Sequence, residues 1–222
     1  MLNHAARYFP ILKVLLEHLP PDGTVVEVGS GPVGMGEFWS QPFVGCDLSF
    51  PHRPQIPLQP VICSAEALPF PDQSFDALIA SDVMEHISPT RRSQVVSEIF
   101  RVTRRVAIIG YPCGQSAWVL DQYLHEHYLS RKKAPPLWLE EHMLNPFPDE
   151  QLLLDAPPGW EKKVIPNESL RFHFWMMRAE MQRVWWYSFR LVLFVAPGLV
   201  RWLLRYANHE PCYRQIFVFT RG

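Results

Sequence analysis

The chain has 222 residues, of which 48% are hydrophobic and 19% are charged, so it can bury a substantial core. This composition excludes global disorder, and the formal charge of −1 excludes a whole-chain electrostatic attraction to nucleic acid. The four cysteines are widely spaced, with no C-x-x-C or metal-type pattern, so we expect reduced thiols and no bound metal. The first residues show no basic leader followed by an apolar run, which favours a cytoplasmic location.

Charge and aromatic side chains are unevenly distributed along the chain. Residues 1–167 contain 13 Lys and Arg against 19 Asp and Glu, whereas residues 168–222 contain 8 against 3. Half of the eight tryptophans lie in this last segment: Trp175, Trp185, Trp186 and Trp202. An acidic body therefore precedes a basic, tryptophan-rich segment.

Apolar runs alternate with segments of helical periodicity through the first half of the chain. In chain order they predict a helix over 4–19, strands over 24–28, 43–46, 61–63, 75–80 and 105–110, a brief helix over 35–40 between the first two strands, and a helix over 89–103 before the fifth. Strands that alternate with helices indicate an α/β fold with a doubly wound, mostly parallel sheet. Nearly continuous apolar strands suit such a sheet because helices cover both of its faces.

The second half is predicted to be mainly helical, with two further strands. The pattern favours helices over 117–131, 137–155 and 170–206, the last broken at 197–198, and strands over 162–165 and 213–219. One domain over 1–222 accounts for the chain most simply, divided into an N-terminal helix (1–23), a core (24–112), substrate-side helices with the sixth strand (113–167), a helical insertion (168–210) and the last strand (211–222).

The first strand leads directly into a glycine-rich turn with the spacing Gly29-x-Gly31-x-x-Gly34. Such glycines let the backbone approach a ligand closely, and Asp47, at the end of the second strand, is placed to accept from ribose hydroxyls. This half-signature fits a nicotinamide or flavin enzyme as well as an enzyme of S-adenosylmethionine (SAM). Glu27 favours SAM, because a buried carboxylate needs a partner such as the ligand's amino group and would repel a pyrophosphate.

A second motif occupies residues 64–87 and begins Ser-Ala-Glu-Ala-Leu-Pro-Phe-Pro-Asp-Gln-Ser-Phe-Asp. Together with the glycine turn it resembles the class I SAM-dependent methyltransferases, in particular the small-molecule branch with an A-E-x-L-P-F-x-D-x-S-F-D stretch. The resemblance covers about residues 24–112. It implies a seven-stranded Rossmann-like sheet, SAM as the cofactor and methyltransferase activity.

The resemblance also implies which residues of this chain bind the cofactor. They are Glu27, Gly29, Ser30, Gly31 and Gly34 at the methionine and ribose end, Asp47 and Leu48 at the ribose hydroxyls and the adenine edge, Ala65 and Glu66 beside the adenine, and Ser81 and Asp82 on the methionine side. Ser64 stands where the family usually has an aspartate that accepts from the adenine amino group. A neutral hydroxyl is the weaker acceptor there.

Three residues are candidates for contact with the acceptor or for catalysis. Tyr111 follows the fifth strand, at the carboxyl end where open sheets bind ligands. The other two are His142 and His86, although the sequence favours surface positions for the polar clusters 140–142 and 125–127. The pair Glu85-His86 is predicted to start the next helix and to order its loop.

The sequence thus predicts an enzyme that transfers a methyl group to a small-molecule or lipid- or glycan-linked acceptor, at oxygen rather than nitrogen or carbon. An NAD(P)-dependent oxidoreductase and a non-catalytic SAM-binding or scaffold protein are the alternatives. The helical insertion is interpreted as a lid or core element first, as a membrane-surface contact through 176–206 second, or as a dimer surface. Peripheral membrane association therefore stays open beside a cytoplasmic location, and the oligomeric state is undetermined.

Overall fold

The computed structural model describes residues 2–221, apart from the side chains of Arg183 and Trp186. Seven strands are formed: β1 Val25–Val28, β2 Phe43–Asp47, β3 Leu58–Ile62, β4 Phe75–Ser81, β5 Thr103–Pro112, β6 Trp160–Ser169 and β7 Cys212–Arg221. The α-helices are α1 Leu2–His18, α2 Arg92–Val102, α3 Gly114–Ser130, α4 Leu137–His142, α5 Leu170–Glu180, α6 Arg183–Val195 and α7 Pro197–Ala207. Short 3₁₀ helices cover Gly34–Glu37 and Glu150–Leu153.

The strands form one seven-stranded sheet in the order β3-β2-β1-β4-β5-β7-β6. β1 to β5 pair in parallel, whereas β7 runs antiparallel to both β5 and β6. This arrangement confirms the predicted Rossmann-like, mostly parallel sheet. The chain order reverses between β1 and β4, and a crevice at the carboxyl ends of these strands is where such sheets bind ligands.

Alternate residues of the central strands supply the cores on the two faces of the sheet. Val26 and Leu78 face the side where Ile99 of α2 is buried. Ile79 faces the other side, where Ile11 of α1 is fully buried. Because successive strand side chains point to opposite faces, continuous apolar strands give both helical layers a surface to cover.

The predicted helix over 137–155 is wrong in its middle. α4 ends at His142, and only the 3₁₀ turn Glu150–Leu153 follows. Pro146 and Pro148 lie between them, and a proline inside a helix removes a hydrogen-bond donor and clashes with the preceding turn. The predicted helix over 170–206 is three helices, with an additional break at 181–182 before the predicted one at Pro197.

In chain order, helices α5 to α7 come between β6 and β7. They bury only part of their apolar surface. Met176 and Leu204 pack against Ala5 of α1 in one cluster, whereas Phe194 is 85% exposed and Val184 is 74% exposed. No described helix is long and apolar enough to span a membrane by itself. The segments Tyr187–Val195 and Pro197–Ala207, bent by 113°, pass that test together by length and composition.

Candidate functional site

The glycine turn after β1 is held in a conformation that two of its glycines require. Gly29 and Gly34 have φ of +72° and +52°, and an added Cβ would lie 2.3 Å from Val83 Cγ2 and 2.1 Å from Glu27 Oε2, respectively. Gly31 also has a positive φ, of +54°, but a Cβ there would meet nothing within 4 Å. The turn is therefore closed toward the sheet at its two ends and open at its middle glycine.

Glu27 ties this turn to α1. Its carboxylate is 1% exposed and accepts from Tyr8 Oη at 2.6 Å and from the Met35 backbone N–H at 2.7 Å. Burial raises the pKa of Glu27 to about 7, because these two hydrogen bonds offset only part of the desolvation. Protein groups thus already satisfy both carboxylate oxygens, and the expected contact with the cofactor's amino group stays a prediction.

Asp47 brings the end of β2 to the open side of the glycine turn. Its Oδ2 accepts from the Gly31 N–H and its Oδ1 from the Leu48 N–H, both at 2.8 Å. Ser30 completes this corner, since its N–H donates to the carbonyl of Cys46 at 3.2 Å. Leu48, beside the carboxylate, is 73% exposed. An acceptor for hydroxyls, an apolar side chain and an uncovered glycine backbone suit the ribose and adenine of SAM.

The predicted adenine-side residues form a tight turn after β3. Ser64 Oγ accepts from the Glu66 N–H at 3.2 Å, and Ser64 bridges to Ala67. The Glu66 carboxylate pairs with Arg91 at 2.8 Å near the surface. Ala65 therefore sits in a turn whose polar side chains are engaged by the protein, and adenine contact at this turn stays a prediction.

Asp82, directly after β4, is held by two arginines. Its carboxylate receives two hydrogen bonds from Arg214, at 2.5 and 2.7 Å, and one from Arg7 at 3.0 Å. Burial by itself would raise the pKa of Asp82. The positive charges of Arg214 and Arg7 outweigh this effect and hold the pKa of Asp82 well below its usual range. The backbone of Asp82 is in the left-handed region, with φ of +55°, and the neighbouring Ser81 hydroxyl is buried.

Arg214 connects Asp82 to a buried polar network that the sequence analysis missed. Its Nη1 donates to Glu168 at 2.6 Å and to Asn167 at 2.9 Å. Glu168 also pairs with His173 Nδ1 at 2.6 Å. The only hint in the sequence is an arginine within the largely apolar run 213–219, but its partners lie on β6 and directly after β4, and spacing alone does not identify them.

A cavity of about 260 Å³ opens beside Asp82. Helix α1, the turn after β4, and helices α4 and α5 contribute to its wall, together with the start of β7. The lining residues are mostly polar: Asn3, His4, Arg7, Asp82, Glu85, His86, Trp138, His142, His173, Met177, Tyr213 and Arg214. The cavity lies past the carboxyl end of β4. Asp47 lies at the end of β2, on the other side of β1 in the strand order.

Two of the three catalytic candidates meet in this cavity. The rings of His86 and His142 lie 5.1 Å apart, and each Nδ1 faces a carboxylate, Glu141 at 3.0 Å and Asp121 at 2.7 Å. His142 is only 4% exposed, so the expected surface position of this residue is wrong. The turn with His86 ends well before α2 begins at Arg92, so the pair Glu85-His86 does not start that helix.

Glu85 is the unusual member of the cavity wall. It is 0% exposed, and neither carboxylate oxygen has a hydrogen-bond partner among the described residues. Burial, with a smaller effect from Asp82, raises the pKa of Glu85 well above its usual range. His142 Nε2 is 3.9 Å from Glu85 Oε1, too far for a hydrogen bond.

The third candidate, Tyr111, lies elsewhere. It is fully buried, stacks on Phe217 with ring centres 5.1 Å apart, and donates its hydroxyl to the carbonyl of Asp149 at 3.1 Å. Burial raises its pKa above the usual range. Tyr111 is not among the residues described as lining the cavity.

A second, more open cavity of about 410 Å³ lies between the C-terminal end of α3 and helices α5 and α6. Its wall combines aromatic and basic side chains: His127, Arg131, Lys133, Phe174, Trp175, Arg178, Ala179, Met181, Gln182 and Trp185. Several of these residues belong to the basic, tryptophan-rich segment defined from the sequence. This surface is suited to an anionic group attached to an apolar body.

Comparisons with known proteins agree on the fold. Residues 26–109 match a family described as a methyltransferase domain. The PH0226 protein of Pyrococcus horikoshii OT3 has 16% identity and a TM-score of 0.54, with 99% of this chain and 90% of that chain covered. A SAM-dependent methyltransferase from Archaeoglobus fulgidus has 14% identity and a TM-score of 0.50, with 96% and 92% covered.

A further similar structure is the geranyl diphosphate C-methyltransferase of Streptomyces coelicolor A3(2), solved with Mg²⁺, geranyl diphosphate and S-adenosyl-L-homocysteine. It has 15% identity and a TM-score of 0.50, with 96% of this chain and 77% of that chain covered. At identities this low, the similarity of these structures to the chain shows a common fold and nothing more specific. No curated protein matches the chain.

Proposed function

We propose that the chain, whose residues 26–109 match a methyltransferase domain, is a class I SAM-dependent methyltransferase that methylates an oxygen atom of a small-molecule or lipid- or glycan-linked acceptor. The family match disfavours the oxidoreductase and scaffold alternatives. The observation that supports an oxygen acceptor is the polar cavity beside Asp82, in which two histidines and a buried carboxylate face one another. A hydroxyl must lose its proton as it is methylated, and these groups can assist that loss.

The proposed cofactor site is the edge formed by the glycine turn and the end of β2. Bound there, SAM supplies a methyl group on a positively charged sulfur. Asp47 accepts from the ribose hydroxyls, Leu48 covers the adenine edge, and the open face at Gly31 lets the backbone approach the ligand. Asp82 lies between this edge and the cavity. SAM bound at the edge and an acceptor bound in the cavity would therefore be held next to each other, in position for methyl transfer.

We assign Asp82 a positioning role at the site and not a catalytic one. Its carboxylate is fixed by Arg7 of α1 and Arg214 of β7, elements on either side of the cavity. Because both guanidiniums are paired with Asp82, and Arg214 also with Glu168, the cavity offers little net positive charge to an anionic acceptor. A neutral hydroxyl therefore suits the inner cavity better than a phosphate.

We further propose that the helical insertion brings the protein to a membrane surface through 176–206, where a lipid-linked acceptor would be available. Apolar and aromatic side chains of α6 and α7 are exposed, including Phe194 at 85% and Trp202 at 50%. Arg178, Arg131 and Lys133 line the nearby open cavity. Tryptophan and arginine side chains at one surface are typical of helices that lie at the headgroup level.

Incubation with methyl-labelled SAM and a cell extract tests the acceptor proposal. We expect the label in methyl ethers or esters of the lipid, glycan or small-molecule fraction, and we expect Asp47→Ala to abolish most of it. Label found only in methylated amines or at carbon would contradict the oxygen assignment.

Co-sedimentation with vesicles of phosphatidylglycerol and phosphatidylcholine tests the membrane contact. We expect pelleting at low salt that Phe194→Ser reduces, while Leu144→Ser, at a position 76% exposed on another surface, serves as the matched control. Absence of pelleting at low salt would leave the lid, core and dimer interpretations of the insertion.

A further inference from the structure

The carboxylate of Glu85 and the imidazoles of His86 and His142 form a compact group in the wall of the 260 Å³ cavity. One ligand atom from each lies within 4.8 Å of those from the other two. Glu85 and His86 come from the turn after β4, whereas His142 ends α4, so the fold brings together ligands that the sequence separates. We propose that Glu85, His86 and His142 bind one divalent transition-metal ion.

The carboxylate of Glu85 supplies the first argument. It is completely buried and both of its oxygens lack hydrogen-bond partners among the described residues. Buried polar groups are nearly always hydrogen-bonded, and a buried carboxyl group without such a partner is typically paired with a charge or bound to a metal. An ion between Glu85 and the two imidazoles would satisfy it.

The partners of the two histidines supply the second argument. His142 Nδ1 is 2.7 Å from Asp121 Oδ2, and His86 Nδ1 is 3.0 Å from Glu141 Oε2. With each Nδ1–H donated to a carboxylate, the lone pair of each Nε2 is available for coordination. Metal-binding histidines typically have this arrangement, because the outer carboxylate fixes the ring and makes the coordinating nitrogen more basic.

Charge balance supplies the third argument. Arg214 and Arg7 are the two guanidiniums of the cavity wall, and they are engaged by Asp82 and Glu168. This pairing leaves the carboxylates of Glu85, Asp121 and Glu141 around the two histidines. A divalent cation bound among these carboxyl groups would supply the positive charge that the two guanidiniums direct elsewhere.

The donor set indicates the class of ion. Two imidazoles and one carboxylate with open positions favour Fe²⁺, Mn²⁺, Co²⁺ or Zn²⁺ over Ca²⁺, which prefers oxygen ligands throughout. With bonds of about 2.0–2.2 Å at tetrahedral or octahedral angles, neighbouring ligand atoms on one ion are about 3–3.5 Å apart. The three ligand atoms lie within 4.8 Å of one another, so binding requires the side chains to rotate inward and bring these atoms up to about 1–2 Å closer together.

The ion would present its open positions to the acceptor, and this role rests on the proposed oxygen methylation. As a Lewis acid it would lower the pKa of an acceptor hydroxyl and hold its oxygen toward the cofactor. In the transfer the S–CH₃ bond of SAM breaks and an O–CH₃ bond forms, giving S-adenosylhomocysteine and the methylated acceptor. The hydroxyl proton leaves to solvent water, so the step needs no oxidant or reductant.

Titration of the full chain, freed of metal by a chelator, with Co²⁺ tests the site without any activity measurement. We expect one Co²⁺ per chain by calorimetry and a visible absorption spectrum that reports nitrogen and oxygen ligands. His142→Ala and Glu85→Gln should weaken binding by more than about 100-fold, and Asp121→Asn, which removes only an outer partner, by about 10- to 100-fold. His125→Ala is the matched control, because His125 lies one turn from Asp121 on α3 and pairs instead with Glu140.

Circular dichroism of each variant separates loss of the site from loss of the fold. If His142→Ala does not fold, the Asp121→Asn variant and the visible absorption spectrum of wild type with Co²⁺ still test the site. Failure of wild type to bind Co²⁺, Mn²⁺ or Zn²⁺, or binding that these variants weaken no more than His125→Ala does, would overturn the proposal. Metal binding together with label only in amines would instead contradict oxygen methylation and leave the metal site standing.

Discussion

The buried carboxyl of Glu27 makes folding stability dependent on pH in a way that one substitution can isolate. Burial raises its pKa from 4.5 to about 7, against the lowering effect of Tyr8 and Met35. The folded chain therefore keeps a proton over a pH range in which the unfolded chain has released it. The stability associated with this carboxyl is fully present below about pH 4.5 and is lost as the pH rises to about 7. At about 1.36 kcal/mol per pKa unit, the loss is about 3 kcal/mol.

Glu27→Gln removes the titration and keeps an oxygen that can accept from the Met35 N–H. Urea unfolding of both chains between pH 4.5 and 8 gives the difference in their free energies of unfolding, in which the contributions of all other titrating groups cancel. We expect wild type to lose about 3 kcal/mol relative to the variant over this range. Glu17→Gln, an exposed carboxylate on α1, is the control. A difference between wild type and Glu27→Gln that does not change with pH would refute this reasoning.

Single substitutions test three other features of the buried structure. Arg214→Met leaves Asp82 and Glu168 without their main partner, so we expect urea unfolding to show a loss of about 3–5 kcal/mol. A much smaller loss would mean that the network is not desolvated. Gly34→Ala should destabilise the glycine turn by at least about 1 kcal/mol, because its φ is +52° and its Cβ would overlap the buried β1 carboxylate; an unchanged melting temperature would contradict the turn geometry. Tyr111→Phe should retain methyl transfer, since among the described residues its hydroxyl bonds a backbone carbonyl and no side chain, and loss of turnover with an intact fold would support a catalytic role for Tyr111.

The sheet was predictable because local pattern and tertiary burial agree along it. The residues of β1 and β4 are all buried, as the continuous apolar runs indicate for strands covered on both faces. The apolar periodicity over 137–155 predicts one helix, but Pro146 and Pro148 prevent it from continuing past α4. The length of β6, Trp160–Ser169, was underestimated because its partner β7 lies far along the chain and pairing, not local composition, extends it.

The polar cavity could be predicted only in part. His86 and His142 are candidates by residue type, but the sequence does not identify their carboxylate partners. His86 pairs with Glu141 of α4, and His142 pairs with Asp121 of α3. Nothing in the sequence shows that Asp121 is buried against His142. The same holds for Arg7 and Arg214, which meet at Asp82 from opposite ends of the chain. Networks of this kind are set by tertiary packing, so sequence spacing gives no register for them.

The most direct test of the account is calorimetric titration of S-adenosylhomocysteine into wild type and Asp47→Ala. If the cofactor lies at the edge formed by the glycine turn and β2, wild type binds one equivalent and Asp47→Ala loses about 1–3 kcal/mol of binding free energy. Asp22→Ala, at an exposed position remote from the end of β2, should bind as wild type does. Equal affinity of wild type and Asp47→Ala would contradict this placement of the cofactor.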